Sequence, residues 1–170
     1  MLRLAKISDA PEILQTRIRA IRAQASLHYP REEIEDWCTS RTAETYHTAI
    51  ERKAILVEEI NGNIVAFGQL NPETAFVEAI YVSPSQFRQG IGLKILRALE
   101  AMASSCGIKA LTLEASLNAI QFYRRAGYVP IFEEEHSSAP KTASATLRMR
   151  HEIPAPAAGS WQFVPIANKQ

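Results

Sequence analysis

Between residues 54 and 106 the chain changes period once, and that change confines the fold. Residues 54–60 and 64–70 are apolar runs divided by Asn61-Gly62-Asn63, and residues 74–82 follow the turn Asn71-Pro72-Glu73. Asn-Gly between two apolar runs is a hairpin signal, because both turn positions accept positive φ. The three runs therefore predict an antiparallel meander, ended at Pro84, which cannot donate to a sheet ladder. From Gly90 the apolar positions recur at helical spacing. Ile91, Ile95, Leu99, Met102 and Cys106 form one stripe, and Lys94, Arg97, Glu100 and Ser104 lie mostly opposite. Gly107 suits the residue after a helix C-terminus, and Cys106 is expected to pack in the core.

The flanks extend this pattern. Residues 2–7 alternate as a short strand. Asp9 and Glu12 have the spacing of a capping box, and Leu14, Ile18, Ile21 and Ala25 follow as a helical stripe. Arg17, Arg19 and Arg22 fall elsewhere on that helix and are expected to form a solvated face. Residues 26–40 hold a loop and a second helix, and residues 41–53 a third; they suit either a cleft wall or a covering layer. Residues 110–116 predict a strand, residues 117–126 a short helix closed by Gly127, and residues 128–135 and 145–153 two further strands. The order β-α-α-α-β-β-β-α-β-α-β-β predicts an α+β fold with a mixed, mainly antiparallel sheet flanked by helices. We expect one domain over residues 1–153 and a Pro/Ala-rich tail over 154–170, whose Trp161 and Phe163 suit a homodimer contact.

Composition excludes several classes. Nineteen Lys and Arg against 18 Asp and Glu give a net charge of +1, which argues against nucleic acid or an anionic membrane as partner. No apolar run approaches the roughly 18 residues of a membrane helix. Two cysteines make no disulfide framework and suit the cytoplasm. His28, His47, His136 and His151 lack metal-ligand spacing, so no metal is expected. No Gly-Lys-Ser or Gly-Lys-Thr occurs, and Ile95 stands where a dinucleotide fingerprint needs its third glycine.

The turn Arg88-Gln89-Gly90-Ile91-Gly92 joins the meander to the helix. Glycines there let backbone approach a ligand, and the helix start offers unpaired N–H groups and a positive dipole end, which together suit an anion such as phosphate.

Two segments carry a resemblance to a known family. Residues 79–96 (AIYVSPSQFRQGIGLKIL) and residues 113–128 (LEASLNAIQFYRRAGY) are similar, in order and separation, to the strand–loop–helix and strand–helix segments of the GNAT superfamily of acetyl-CoA-dependent N-acetyltransferases. The resemblance covers about residues 2–153. It implies acetyl-CoA as cosubstrate and a primary amine, on a small molecule or a peptide N-terminus, as acceptor. It also implies pantetheine contacts along Ile80, Tyr81 and Val82, and a pyrophosphate cradle of N–H groups from Arg88, Gln89, Gly90, Ile91, Gly92 and Leu93. Arg88 and Lys94 are placed to add positive charge there. Phe87 departs from the pattern, standing where a polar residue is usual. Of Ser116 and Asn118, Asn118 is the expected cofactor contact. Tyr123 takes the place of the general acid. A phenol of pKa ~10 is protonated at neutral pH and can assist a departing thiolate whose acid has pKa ~8.5. For the general base, Glu78 is expected on an apolar strand face with Phe76, Ile80 and Val82, and Glu114 is the second candidate. The alternative expectation is a domain of the same fold that binds an acyl-CoA or a protein partner without catalysis.

Overall fold

From the N-terminus the elements are β1 (Leu2–Leu4), α1 (Ala10–Ala25), α2 (Arg31–Thr39), α3 (His47–Glu51), β2 (Ile55–Ile60), β3 (Asn63–Asn71), β4 (Phe76–Val82), α4 (Ile91–Ser105), β5 (Ala110–Ser116), α5 (Ile120–Arg125), β6 (Val129–Pro130) and β7 (Thr146–Glu152). They come from a computed structural model that describes residues 1–131 and 146–154. Most of the strand expected at 128–135, and the tail with Trp161 and Phe163, lie outside the described residues.

The strands form one sheet in the order β1-β2-β3-β4-β5-β7-β6. Every neighbouring pair is antiparallel except β4 and β5, which run parallel. The expected α+β class and its mainly antiparallel sheet are present. Asn61 and Gly62 both take positive φ, 52° and 78°, as the hairpin reading requires.

Alternation along β3 divides the core. Ala66 belongs to the cluster under α4, with Ile95, Leu96 and Leu99. Phe67 points the other way, into a cluster with Ala10 and Ile13 of α1 and with Tyr46 and Ile50. Gly68 turns back toward α4, where an added Cβ would overlap Ile95 Cγ2 and lie 2.9 Å from Leu99 Cδ1. The helix thus seats directly on bare backbone. A third cluster, Ile21, Ala25, Tyr29, Ile34 and Cys38, fastens α2 to α1.

Three local expectations are corrected. The buried face of α1 is Ala10, Ile13, Thr16, Arg17, Ala20, Ile21 and Ala25, so Ile21 and Ala25 of the expected stripe are buried while Leu14 and Ile18 are only half-buried. Arg17 therefore points inward, while Arg22 does lie on the exposed face, paired with Glu35 at 2.9 Å. The Asp9–Glu12 capping box does not form. Asp9 makes no side-chain cap to α1; its carboxylate accepts from Lys6 N–H at 2.7 Å and from Arg3 at 2.6 Å. Glu12 Oε1 instead accepts from Ile64 N–H of β3 at 2.9 Å, tying the helix start to the sheet. Of the cysteines, Cys38 is the buried one, while Cys106 sits at the α4 C-terminus with partial exposure.

Asp9 is expected to make the docking of the N-terminal strand pH-sensitive. Burial pushes its carboxyl up, but the Arg3 and Lys6 hydrogen bonds outweigh burial and hold it below the usual carboxylate range. A carboxyl depressed on folding adds stability that is complete above its unfolded pKa and is lost as pH falls through the folded value. Asp9→Asn is expected to cost about 2 kcal/mol near neutrality, the worth of a hydrogen bond to a charged group. Urea titrations should show the gap from the parent narrowing as pH falls from about 5 to about 2.

Candidate active site

A β-bulge and a divergence between strands create the cleft. Gln69 of β3 pairs with Ala79 and Leu70 with Val77, so Glu78 is the extra residue on β4. A bulge resets the alternation of the strand that carries it. Ile80 and Val82 consequently pack with the α4 cluster, and Ala79 and Tyr81 with the α1 side. The expectation that Glu78 shares an apolar face with Ile80 and Val82 is corrected for this reason. Its carboxylate is exposed, accepts from Asn71 Nδ2 at 3.3 Å, and lines the cavities on the α1 side.

Strands β4 and β5 pair only at Phe76↔Thr112 and Val77↔Leu113. Beyond Val77 the two separate, and the β5-facing backbone of residues 79–82 has no ladder partner among the described residues. An exposed row of strand N–H and C=O groups suits an extended amide-bearing chain, which can bind as an added strand would. Ile80, Tyr81 and Val82 lie on this open edge.

The open edge runs into the start of α4. Gly90 caps the helix in the left-handed region, φ 79°, and Arg88 is also left-handed at 62°. An added Cβ at Gly90 would touch nothing, so backbone conformation alone favours glycine there. At Gly92 a Cβ would meet Phe122 and Val82 at 3.5–3.6 Å, ordinary contact, so the protein itself leaves room for alanine. The first helical hydrogen bond is Lys94 N–H to Gly90 C=O at 2.9 Å. The N–H groups of Ile91, Gly92 and Leu93 thus precede the helical ladder and are free for an anion. Arg88 and Gln89 are exposed beside them, and Phe87 is half-buried. Lys94 Nζ lies 2.7 Å from the carboxylate of Glu58, which is buried in β2.

A cavity of about 240 Å³ lies between the open edge of β4, α1 and the start of α5. Tyr123 lines it and is only 7% exposed. Burial, with a smaller contribution from Tyr81, pushes its phenol well above the ordinary value, so it is fully protonated at neutral pH. Tyr123 is held by edge contacts with Phe122 and Tyr128, ring centroids 4.9 and 5.7 Å apart. Tyr128 is buried at 1% exposure and serves packing, as its place at the end of the motif suggests.

Asn118 and Glu114 also line the cavity. Asn118 Nδ2 reaches Gln24 Oε1 of α1 at 3.4 Å, and Glu114 accepts from Thr146 at 2.9 Å. Leu117 N–H donates to the Tyr29 hydroxyl at 2.8 Å. The α1–α2 connection and the β5–α5 connection are therefore bridged, and Tyr29 packs on Trp37 at 4.6 Å. Residues 26–40 accordingly serve as cleft wall and covering layer at once.

The sequence reading missed Arg17. Its side chain lines the cavity, donates to Trp37 C=O at 2.6 Å and Ser40 Oγ at 3.2 Å, and stands 5.7 Å from the Tyr81 ring centroid. The available signal was its spacing, four residues after Ile13 and four before Ile21.

No group of His, Cys, Asp or Glu able to hold a metal occurs among the described residues. Nor is any of their helices long and apolar enough to cross a membrane.

The comparisons agree with this geometry. The family model described as an acetyltransferase (GNAT) domain matches residues 25–140. The chain belongs to that family of acetyltransferases. No curated protein matches it in sequence. Among solved structures it is similar to the GCN5-related N-acetyltransferase of Rhodopseudomonas palustris, with TM-score 0.78, 24% identity, and coverage of 89% of this chain and 94% of the other. It is also similar to the PaiA N-acetyltransferase of Thermoplasma acidophilum in complex with coenzyme A, with TM-score 0.76, 18% identity, and coverage of 89% and 98%. A third likeness, to YncA of Salmonella typhimurium with its cofactor acetyl-CoA, has TM-score 0.66, 18% identity, and coverage of 93% and 96%. At these identities the likeness is one of fold.

Proposed function

We propose that this protein transfers the acetyl group of acetyl-CoA to a primary amine by direct attack, with Tyr123 as general acid. The observation that carries the reading is a buried, neutral phenol lining a cavity whose other walls include the unpaired edge of β4, α1 and the start of α5. Ile80, Tyr81 and Val82 hold the pantetheine arm through backbone groups. The N–H groups from Arg88 to Leu93 hold the pyrophosphate, with Arg88 adding charge, and Asn118 meets the arm from the β5–α5 connection. Coenzyme A in the Thermoplasma acidophilum structure and acetyl-CoA in the Salmonella typhimurium structure support a cosubstrate of this class.

The reaction forms a C–N bond and breaks a C–S bond. Tyr123 supplies a proton to the leaving sulfur. Glu78, on the bulge facing the cavity, takes a proton from the incoming amine directly or through water.

An assay of free thiol release from acetyl-CoA over a broad panel of amines tests the proposal. Thiol should appear with acetylated amine in equal amount. Tight acetyl-CoA binding with transfer to no amine would replace the enzyme reading with a binding module.

A further inference from the structure

A second cavity, about 60 Å³, adjoins the acyl cleft and shares Arg17, Glu78, Ala79 and Tyr81 with it. Its remaining lining is Arg41, Tyr46 and Gln69. Three polar groups here lack the partners that burial normally demands. Arg17 is 7% exposed, yet the atoms it donates to, Trp37 C=O and Ser40 Oγ, are neutral. It forms no ion pair among the described residues, although buried arginines are normally paired with an anion. Arg41, half-buried at the same cavity, also has no carboxylate partner among them. Tyr46 is 2% exposed and its hydroxyl has no hydrogen-bond partner among the described residues.

Two guanidinium groups and a phenolic O–H converging on one small space make a donor set for an anion, with the fork geometry of arginine suited to a carboxylate. Glu78 stands at the junction of the two cavities. It forms no ion pair with either arginine and is placed for a cation. We infer that the acetyl acceptor is a small zwitterion, an α-amino acid or a close homologue, with its carboxylate held by Arg17, Arg41 and the Tyr46 hydroxyl and its amine beside Glu78. This inference rests on the acetyl-transfer reading above.

The test uses matched sets of an α-amino acid, its carboxamide, and the amine lacking the carboxyl group: leucine, leucinamide and 3-methylbutylamine, with equivalent sets for other side chains. Affinity is measured by calorimetry with coenzyme A present, and transfer by thiol release. In at least one set the acid should bind about tenfold or more tighter than its amide and its amine, the contribution of a charge-assisted contact. Arg41→Gln should collapse that preference to within about twofold, and Tyr46→Phe should reduce it in part. Arg41 is partly exposed and outside the core clusters, so its replacement leaves the fold in place. Acids and amides bound equally in every set, or a preference that survives Arg41→Gln, would overturn the subsite. Transfer to amines regardless of a carboxylate sinks the subsite and leaves the transferase. Binding of acids with transfer to no amine sinks the transferase and leaves the subsite.

Discussion

Replacing Tyr123 by phenylalanine is expected to lower kcat by about a hundredfold, the lower range for loss of a general acid, and to leave acetyl-CoA affinity within about twofold. The ring contacts to Phe122 and Tyr128 do not involve the hydroxyl, so phenylalanine keeps them. The hydroxyl forms no contact that would hold the open edge of β4 or the start of α4, which carry the binding of the arm and the pyrophosphate. What is lost is a proton donor beside a departing sulfur. Burial favours the neutral phenol, so its deprotonation moves upward in pH. Activity should therefore show no decline from loss of this proton up to about pH 10. Single-turnover thiol release gives the chemical step, and calorimetry with coenzyme A gives affinity. Unchanged turnover would remove Tyr123 from the chemistry.

The largest effect on stability is expected at Gly68. An alanine there would place its Cβ inside the contact distance of Ile95 and Leu99, both fully buried. These side chains belong to the packed core and have little room to retreat. Gly68→Ala should cost about 2 kcal/mol, in the range for overpacking, and lower Tm by about 4–8 °C. Gly92→Ala is the comparison, since its Cβ would meet only ordinary contacts. Equal denaturation midpoints for the two variants would contradict the direct seating of α4 on β3. The seating also matters for binding, because β3 and α4 together fix where the helix start lies relative to the edge of β4.

Much of this was open to reading from the residues because its causes are local. The Asn61-Gly62 turn, the stop at Pro84 and the stripe from Ile91 to Met102 depend on backbone preference and on period, which neighbouring residues set. The resemblance through residues 79–96 and 113–128 placed Tyr123 at the cleft for the same reason: strand, turn and helix follow one another in the chain. The α1 face was misread at Arg17 because a charged residue occupies a buried slot there, its guanidinium donating to Trp37 C=O and Ser40 Oγ at the end of α2, contacts that no local pattern records. Cys106 went astray because its exposure depended on where α4 ends, and the Lys94–Glu58 pair was not legible because Glu58 lies in a strand 36 residues earlier.

The sequence by itself determined the order of elements, the meander, the free helix start and the family. Tertiary structure alone decided the bulge at Glu78, the parting of β4 from β5 after Val77, and the meeting of Arg17, Arg41 and Tyr46. The physical reason is the range of the forces involved. Turn geometry and periodicity are settled by residues within a few positions of one another. Strand register, the side-chain direction beyond a bulge, and the burial of a charge depend on partners distant in the chain, whose pairing no local pattern records.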